Sequence, residues 1–164
     1  KGPFVIRYPR GKGFIIDWHQ PWKELPVGKG ECLKEGKDLA VITIGTMANP
    51  AEKAINSIEN ESSVTIAHYD ARYVKPLDEQ MLHTIGKLFK RVVTIEDGVI
   101  EGGFGSAVLE FFAENKYSME LTRLGIPDCF IEHGTPDELY DKIGLSAEGI
   151  KRSIKTVLLE KTEE

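Results

Sequence analysis

Residues 92–110 read Val92-Val-Thr-Ile-Glu96-Asp-Gly98-Val-Ile-Glu-Gly102-Gly103-Phe-Gly105-Ser106-Ala-Val-Leu-Glu110, and this stretch decides the fold. The run from Val92 to Ile95 is β-branched and free of charge, which is typical of a strand covered on both faces. After the glycines, apolar side chains recur at the spacing of one helical face, at Phe104, Ala107, Val108, Phe111 and Phe112. The stretch therefore predicts a buried strand, a glycine-rich turn and a helix, around which the remaining elements pack.

The glycine-rich turn has the composition of a phosphate-binding loop but not the spacing. Glycines let backbone amides and a helix N-terminus approach an anion closely. Dinucleotide-binding loops read G-x-G-x-x-G and P-loops end in G-K-S/T, whereas Gly103-Phe-Gly105-Ser-Ala-Val108 matches neither. The nearby carboxylates of Glu96, Asp97 and Glu101 would also repel phosphate. A nucleotide site is therefore disfavoured.

Glu96 and Asp97 have two possible roles. Adjacent residues on a strand point to opposite faces, so the two carboxylates act on one substrate atom only if the turn has already begun. The favoured interpretation is structural, with one of the two acids accepting hydrogen bonds from amides of the glycine loop.

Strand and helix patterns alternate through most of the chain. Strands are predicted at residues 4–8, 31–35, 38–45, 64–69, 92–95 and 119–124. Besides the helix of the opening stretch, helices are predicted after the N-cap residues Asn49, Asp78, Thr135 and Ser146. The order predicts an α/β fold of three layers, an open and mostly parallel sheet between helices, with residues 31–35 as a short antiparallel edge strand.

Bulk properties exclude several classes of protein. The 164 residues have a net charge of −5 and no dominant basic stripe, which argues against nucleic-acid and membrane-surface partners. The two cysteines, Cys32 and Cys129, fit a reducing compartment better than a disulfide framework. No signal-peptide pattern is present, and no apolar run approaches the ~18 residues of a membrane span. Because the chain opens on Lys1 and an apolar strand pattern, we expect it to be a piece of a longer polypeptide.

The strongest polar candidate is the loop Arg7-Tyr8-Pro9-Arg10-Gly11-Lys12-Gly13, which contains three cations and two glycines. An arginine fork matches phosphate or carboxylate, and glycines allow close approach, so the loop either binds an anion or is a solvated basic turn. In open α/β sheets, ligands bind beyond the carboxyl ends of the strands, here near residues 45–47, 70–72 and 96–98.

The residues include no complete catalytic set. The four histidines, His19, His68, His83 and His133, are far apart and have no i, i+4 pair, so a metal site is not expected. We find no nucleophile-elbow motif, no context for a catalytic cysteine and no cluster of metal-binding carboxylates.

Motifs spread over nearly the whole chain carry a family resemblance. They are residues 2–11 (GPFVIRYPRG), 26–30 (PVGKG), 70–78 (DARYVKPLD), 93–96 (VTIE), 102–106 (GGFGS) and 125–131 (GIPDCFI). Together they resemble the C-terminal part of the 1-deoxy-D-xylulose-5-phosphate synthase family, which are transketolase-like thiamine-diphosphate enzymes. The middle motifs are similar to those of transketolase and of 2-oxo acid dehydrogenase β subunits. The two ends resemble the synthase family.

The resemblance implies a cytoplasmic, homodimeric transferase. Such an enzyme decarboxylates pyruvate and joins the two-carbon unit to D-glyceraldehyde 3-phosphate, giving a precursor of isoprenoids, thiamine and pyridoxal. It uses thiamine diphosphate and Mg²⁺, which the family binds through earlier domains, so neither is expected on this chain. The chain alone is expected to be inactive, with no catalytic residue of its own.

The resemblance also implies a division of the chain. Residues 1–13 would be the remnant of a pyrimidine-binding domain, residues 14–30 a linker, and residues 31–164 a transketolase C-terminal-like domain. Arg10 matches the arginine of the family's Y-P-R-G motif, which holds the phosphate of the aldehyde substrate. Arg7 and Lys12 receive no role, while Glu96 and the glycine loop are assigned to domain packing and dimer geometry.

Two alternatives stay open at this point. The chain could instead be the C-terminal domain of a 2-oxo acid dehydrogenase β subunit, which also serves as a docking surface for a partner protein. It could also be a non-catalytic module that binds a small anion through Arg7, Arg10 and Lys12.

Overall fold

The structure, a computed structural model, describes residues 2–8, 19, 21 and 24–159. In this part of the chain, five strands form one sheet in the order β1-β3-β2-β4-β5. The strands are β1 (Glu31–Lys34), β2 (Leu39–Thr43), β3 (Ile66–Asp70), β4 (Arg91–Val99) and β5 (Glu120–Ile126). β1 pairs antiparallel with β3, and every other pairing is parallel. The predicted mostly parallel sheet with a short antiparallel edge strand is confirmed.

Helices cover both faces of the sheet and make the three predicted layers. One face packs against α1 (Ala48–Glu61), α4 (Pro136–Lys142) and α5 (Ala147–Leu159). The other face packs against α2 (Glu79–Leu88) and α3 (Phe104–Glu114). β2 lies at the centre and is buried along its whole length, with Leu39 and Val41 in one core and Ala40 and Ile42 in the other. This explains the uninterrupted apolar sequence of β2, because the side chains on both faces of the strand are covered by helices.

Most of the predicted helix starts are confirmed by hydrogen bonds. The Asp78 carboxylate accepts the Met81 amide at 3.1 Å. Thr135 and Glu138 form the reciprocal capping box of α4, and the Ser146 hydroxyl accepts the Gly149 amide at 3.2 Å.

The predicted Asn49 cap is wrong. A 3₁₀ turn, Gly45–Met47, follows β2 and runs directly into α1, whose N-cap Met47 makes no side-chain capping bond. Gly45 has a φ of +65° and turns the chain there, so helical geometry begins before Asn49 is reached. The apolar spacing of the sequence after Asp78 also predicts that Leu88 faces the core. This is wrong, because Leu88, the last residue of α2, is 65% exposed.

The predicted strand at residues 4–8 is also wrong. Residues 2–8 have no regular secondary structure, and Val5 is 91% exposed. None of the described strands pairs with this segment. Without a neighbouring strand, the backbone N–H and C=O groups of an apolar run have no hydrogen-bond partners, so the run does not form a strand. In contrast, β4 and β5 extend further than predicted, because their pairing resumes at Val99 and Ile126 after an irregular stretch.

Candidate functional site at the carboxyl edge of the sheet

The sheet has a topological switch point between β2 and β4. These strands are neighbours, but β2 leads into α1 on one face whereas β4 leads toward α3 on the other. In such sheets, ligands bind in the crevice beyond the carboxyl ends of the two strands. The candidate site therefore lies where the 3₁₀ turn after β2 meets the end of β4.

Asp97 is the acid at this point, and the side chains of Arg7 and Tyr140 interact with it. Its side chain is 22% exposed, and Oδ2 lies 3.6 Å from Nη2 of Arg7. The Tyr140 hydroxyl, from α4, interacts with the side chains of Asp97 and Thr46. Burial, followed by the charge of Asp97, raises the pKa of Tyr140, so this hydroxyl stays protonated at neutral pH and can donate to the carboxylate.

The N-terminal segment crosses the carboxyl edge of the sheet. The ring of Phe4 contacts that of Tyr73, in the loop after β3, with centroids 6.4 Å apart and an interplanar angle of 74°. Arg7 then reaches Asp97 on β4. Of the predicted anion-binding loop, the structure thus places Arg7 at the switch point, while Arg10 and Lys12 lie outside the described residues.

The adjacent acid, Glu96, accepts hydrogen bonds from the glycine loop, which is the structural role favoured for one of these two acids. Its carboxylate accepts the backbone amides of Phe104 and Gly105, both at 2.8 Å, at the start of α3. The side chain is buried, and its negative charge lies at the positive end of the helix dipole. Because these amides already bind a carboxylate, the glycine-rich turn is not a phosphate cradle here.

A second arginine stands at the same edge. Arg72 follows β3 with a φ of +56°, a conformation rare for a residue with a side chain. Its amide donates to Asp70 Oδ1 at 3.0 Å, and its guanidinium forms an ion pair with Glu31 on β1. Burial raises the pKa of Asp70, although the hydrogen bond from Arg72 opposes this.

The described histidines and acids do not form a metal site. The described residues contain no group of three side chains able to hold a metal ion. His68 is buried, with Nε2 2.9 Å from the Thr43 hydroxyl, which itself donates to the Tyr69 carbonyl at 3.2 Å. Burial lowers the pKa of His68 to about 4, so this histidine is neutral and structural at pH 7.

Sequence reasoning missed two members of the site. Tyr140 lies on a short helix, and its sequence context gives no sign of proximity to β4. Thr46 lies in one of the segments predicted at the carboxyl ends of the strands, but the sequence analysis gave it no role.

None of the described helices is long and apolar enough to cross a membrane.

Comparison with known proteins identifies the family. The model of the family described as "Transketolase, C-terminal domain" matches residues 28–150. The chain belongs to the transketolase C-terminal domain family. A solved structure titled "Split gene transketolase, inactive beta4 tetramer" is 33% identical with a TM-score of 0.76, and the match covers 83% of this chain and 44% of that one.

Relatives of this transketolase C-terminal domain include bacterial proteins of high identity. A protein of Phocaeicola vulgatus named 1-deoxy-D-xylulose-5-phosphate synthase is 59% identical over 150 residues, 92% of this chain and 24% of the relative. The protein of that name from Bacteroides fragilis is 54% identical over 154 residues, 94% of this chain and 24% of the relative. The chain thus spans about a quarter of the length of these relatives.

Proposed function

We propose that this chain is the C-terminal part of a 1-deoxy-D-xylulose-5-phosphate synthase. That enzyme condenses pyruvate with D-glyceraldehyde 3-phosphate and releases CO₂. The observation that carries the proposal is the 59% identity to a synthase over 92% of the chain. The match includes part of the segment before residue 28, where the transketolase family model begins, because the 150 aligned residues exceed the 137 from residue 28 to residue 164.

Thiamine diphosphate and Mg²⁺ are proposed to bind outside this chain. The described residues do not fit either group, because they form no cluster for a metal ion and the amides at the start of α3 are occupied by Glu96. No chemical step of the cofactor is therefore assigned to them. The chain alone is expected to lack synthase activity.

The role proposed for this chain is to hold the aldehyde substrate through Arg10. A guanidinium binds a phosphate through two parallel hydrogen bonds, which are stronger than bonds between neutral groups. Arg10 follows Arg7 by three residues in the sequence, and Arg7 lies at the switch point, where this fold binds ligands.

Assembly as a homodimer in the cytoplasm is part of the same proposal. Apolar side chains of the N-terminal segment are exposed, including Phe4, Val5 and Ile6, and such surfaces commonly become interfaces. The transketolase neighbour is itself described as a tetramer. The two cysteines, Cys32 and Cys129, are free and exposed, which suits a reducing compartment.

The test is a turnover assay of the longer protein that carries this chain. The protein is supplied with thiamine diphosphate, Mg²⁺, pyruvate and D-glyceraldehyde 3-phosphate, and the products are followed by NMR. We expect a five-carbon ketose phosphate and one CO₂ per turnover. Transfer of an acetyl group to a lipoyl-bearing acyltransferase, without the ketose, would instead identify a dehydrogenase β subunit. Binding of the phosphate without any turnover would indicate a non-catalytic anion-binding module.

A further inference from the structure

Of the three cations in the N-terminal loop, Arg7 lies in the part of the chain that the structure describes. Arg7 already has a protein partner, because its guanidinium lies 3.6 Å from the Asp97 carboxylate. An arginine whose guanidinium is engaged by a carboxylate has fewer donors left for a ligand. The pair also lies at the switch point, next to the crevice in which such sheets bind ligands.

Asp97 is well suited to hold this segment because its own position is constrained from two sides. The preceding residue, Glu96, is tied to the start of α3 by two hydrogen bonds of 2.8 Å. The Tyr140 hydroxyl, which also interacts with Thr46, interacts with the Asp97 side chain, and this side chain is 22% exposed. The carboxylate is therefore presented from a rigid strand end, whereas the Arg7 side chain is 75% exposed and depends on Asp97 for its position.

We propose that Asp97 is a positioning residue, which binds Arg7 and thereby fixes residues 2–8 at the carboxyl edge of the sheet. In the sequence, these residues end two positions before Arg10. This inference rests on the proposed function for its effect on substrate, but not for the contact itself. In this division of roles, Arg7 is a structural anchor and Arg10 contacts the ligand. The ring contact between Phe4 and Tyr73 is a second anchor on the same segment.

The contact is tested first in the 164-residue chain, without substrate. Trypsin cleaves after Arg7, and an arginine engaged by a carboxylate is cleaved more slowly. We expect Asp97→Asn to speed cleavage of the Arg7–Tyr8 bond about two- to fivefold, the range of an exposed ion pair. Glu132→Gln is the control, because it removes a carboxylate from the exposed Glu132–Lys142 pair on the same domain. Equal cleavage rates in wild type and Asp97→Asn would overturn the proposal.

The consequence for substrate is tested in the longer protein. Asp97→Asn and Arg7→Gln should each raise the KM for D-glyceraldehyde 3-phosphate about two- to fivefold, with kcat and the KM for pyruvate unchanged. The double variant should match the single variants, because both remove the same interaction. An unchanged aldehyde KM, or equal changes for both substrates, would overturn the positioning role. Absence of turnover in the wild type would refute the proposed function instead, and the cleavage rates would still decide whether Asp97 holds Arg7.

Discussion

Replacing Glu96 with glutamine perturbs a buried site in which both carboxylate oxygens accept backbone amides. The amides of Phe104 and Gly105 each donate to one oxygen at 2.8 Å, and the Glu96 side chain is buried. Glutamine has almost the same shape but only one acceptor oxygen, and its amide group would face an N–H donor. One amide at the start of α3 would therefore lose its partner, and the negative charge at the helix N-terminus would be removed.

The size of the effect follows from these two losses. A hydrogen bond to a charged group contributes about 1.5–3 kcal/mol. A charge at a partly buried helix terminus contributes up to about 2 kcal/mol, part of which is the same interaction. We therefore expect Glu96→Gln to lower the free energy of unfolding by about 2–4 kcal/mol.

The assay is urea unfolding of the 164-residue chain, followed by far-UV circular dichroism. Glu101→Gln is the matched control, because it removes the same charge from an exposed position in the same turn. The control should stay within about 0.5 kcal/mol of the wild type. A loss below about 1 kcal/mol for Glu96→Gln, or an equal loss for the control, would refute the assignment of Glu96 as the anchor of α3.

Three further predictions concern stability. In Gly103→Ala the new Cβ would clash with the Val99 carbonyl oxygen, so we expect the free energy of unfolding in urea to fall by about 2–3 kcal/mol. Gly2→Ala, whose Cβ would lie in open space, should leave it unchanged. Burial lowers the pKa of His68 from 6.5 to about 4, so between these pH values the unfolded chain binds a proton that the folded protein does not. The free energy of unfolding should therefore be unaffected by His68 above pH 6.5 and fall by about 2–3 kcal/mol as the pH drops toward 4. His68→Gln should remove that part of the pH dependence, and an identical pH profile in the two proteins would contradict it. Asp78→Ala removes the acceptor of two backbone amides and should cost about 1–2 kcal/mol, whereas Asp78→Asn, which can still cap α2, should cost less.

Local signals explain which parts of the fold could be predicted from the sequence. The caps Asp78, Thr135 and Ser146 act on amides within three residues, so a short window of sequence contains the whole interaction. The prediction that Asn49 caps α1 was wrong because the start of this helix depends on how the chain leaves β2, through a turn at Gly45. The predicted strand at residues 4–8 was wrong because a strand needs a neighbouring strand to pair with, and the sequence of the segment does not specify one.

The candidate site could be predicted in part. The alternating order of strands and helices predicts which edge of the sheet binds ligands. The carboxylates beside the glycine-rich turn made Glu96 a candidate acceptor for the amides of that turn. The pairing of Arg7 with Asp97, and the approach of Tyr140, join residues far apart in the sequence. Such contacts depend on the order of the strands and on where α4 packs, and neither is encoded in the spacing of any motif.

The most direct test of the account is the KM for D-glyceraldehyde 3-phosphate of the longer protein carrying Arg10→Ala. Loss of a charge-assisted contact to the phosphate should raise this KM at least about tenfold and leave the KM for pyruvate unchanged. Arg152→Ala, which removes an exposed cation from α5, should change neither constant. A normal aldehyde KM in Arg10→Ala, in a protein that still forms the ketose phosphate, would contradict the assignment of the substrate contact to this chain.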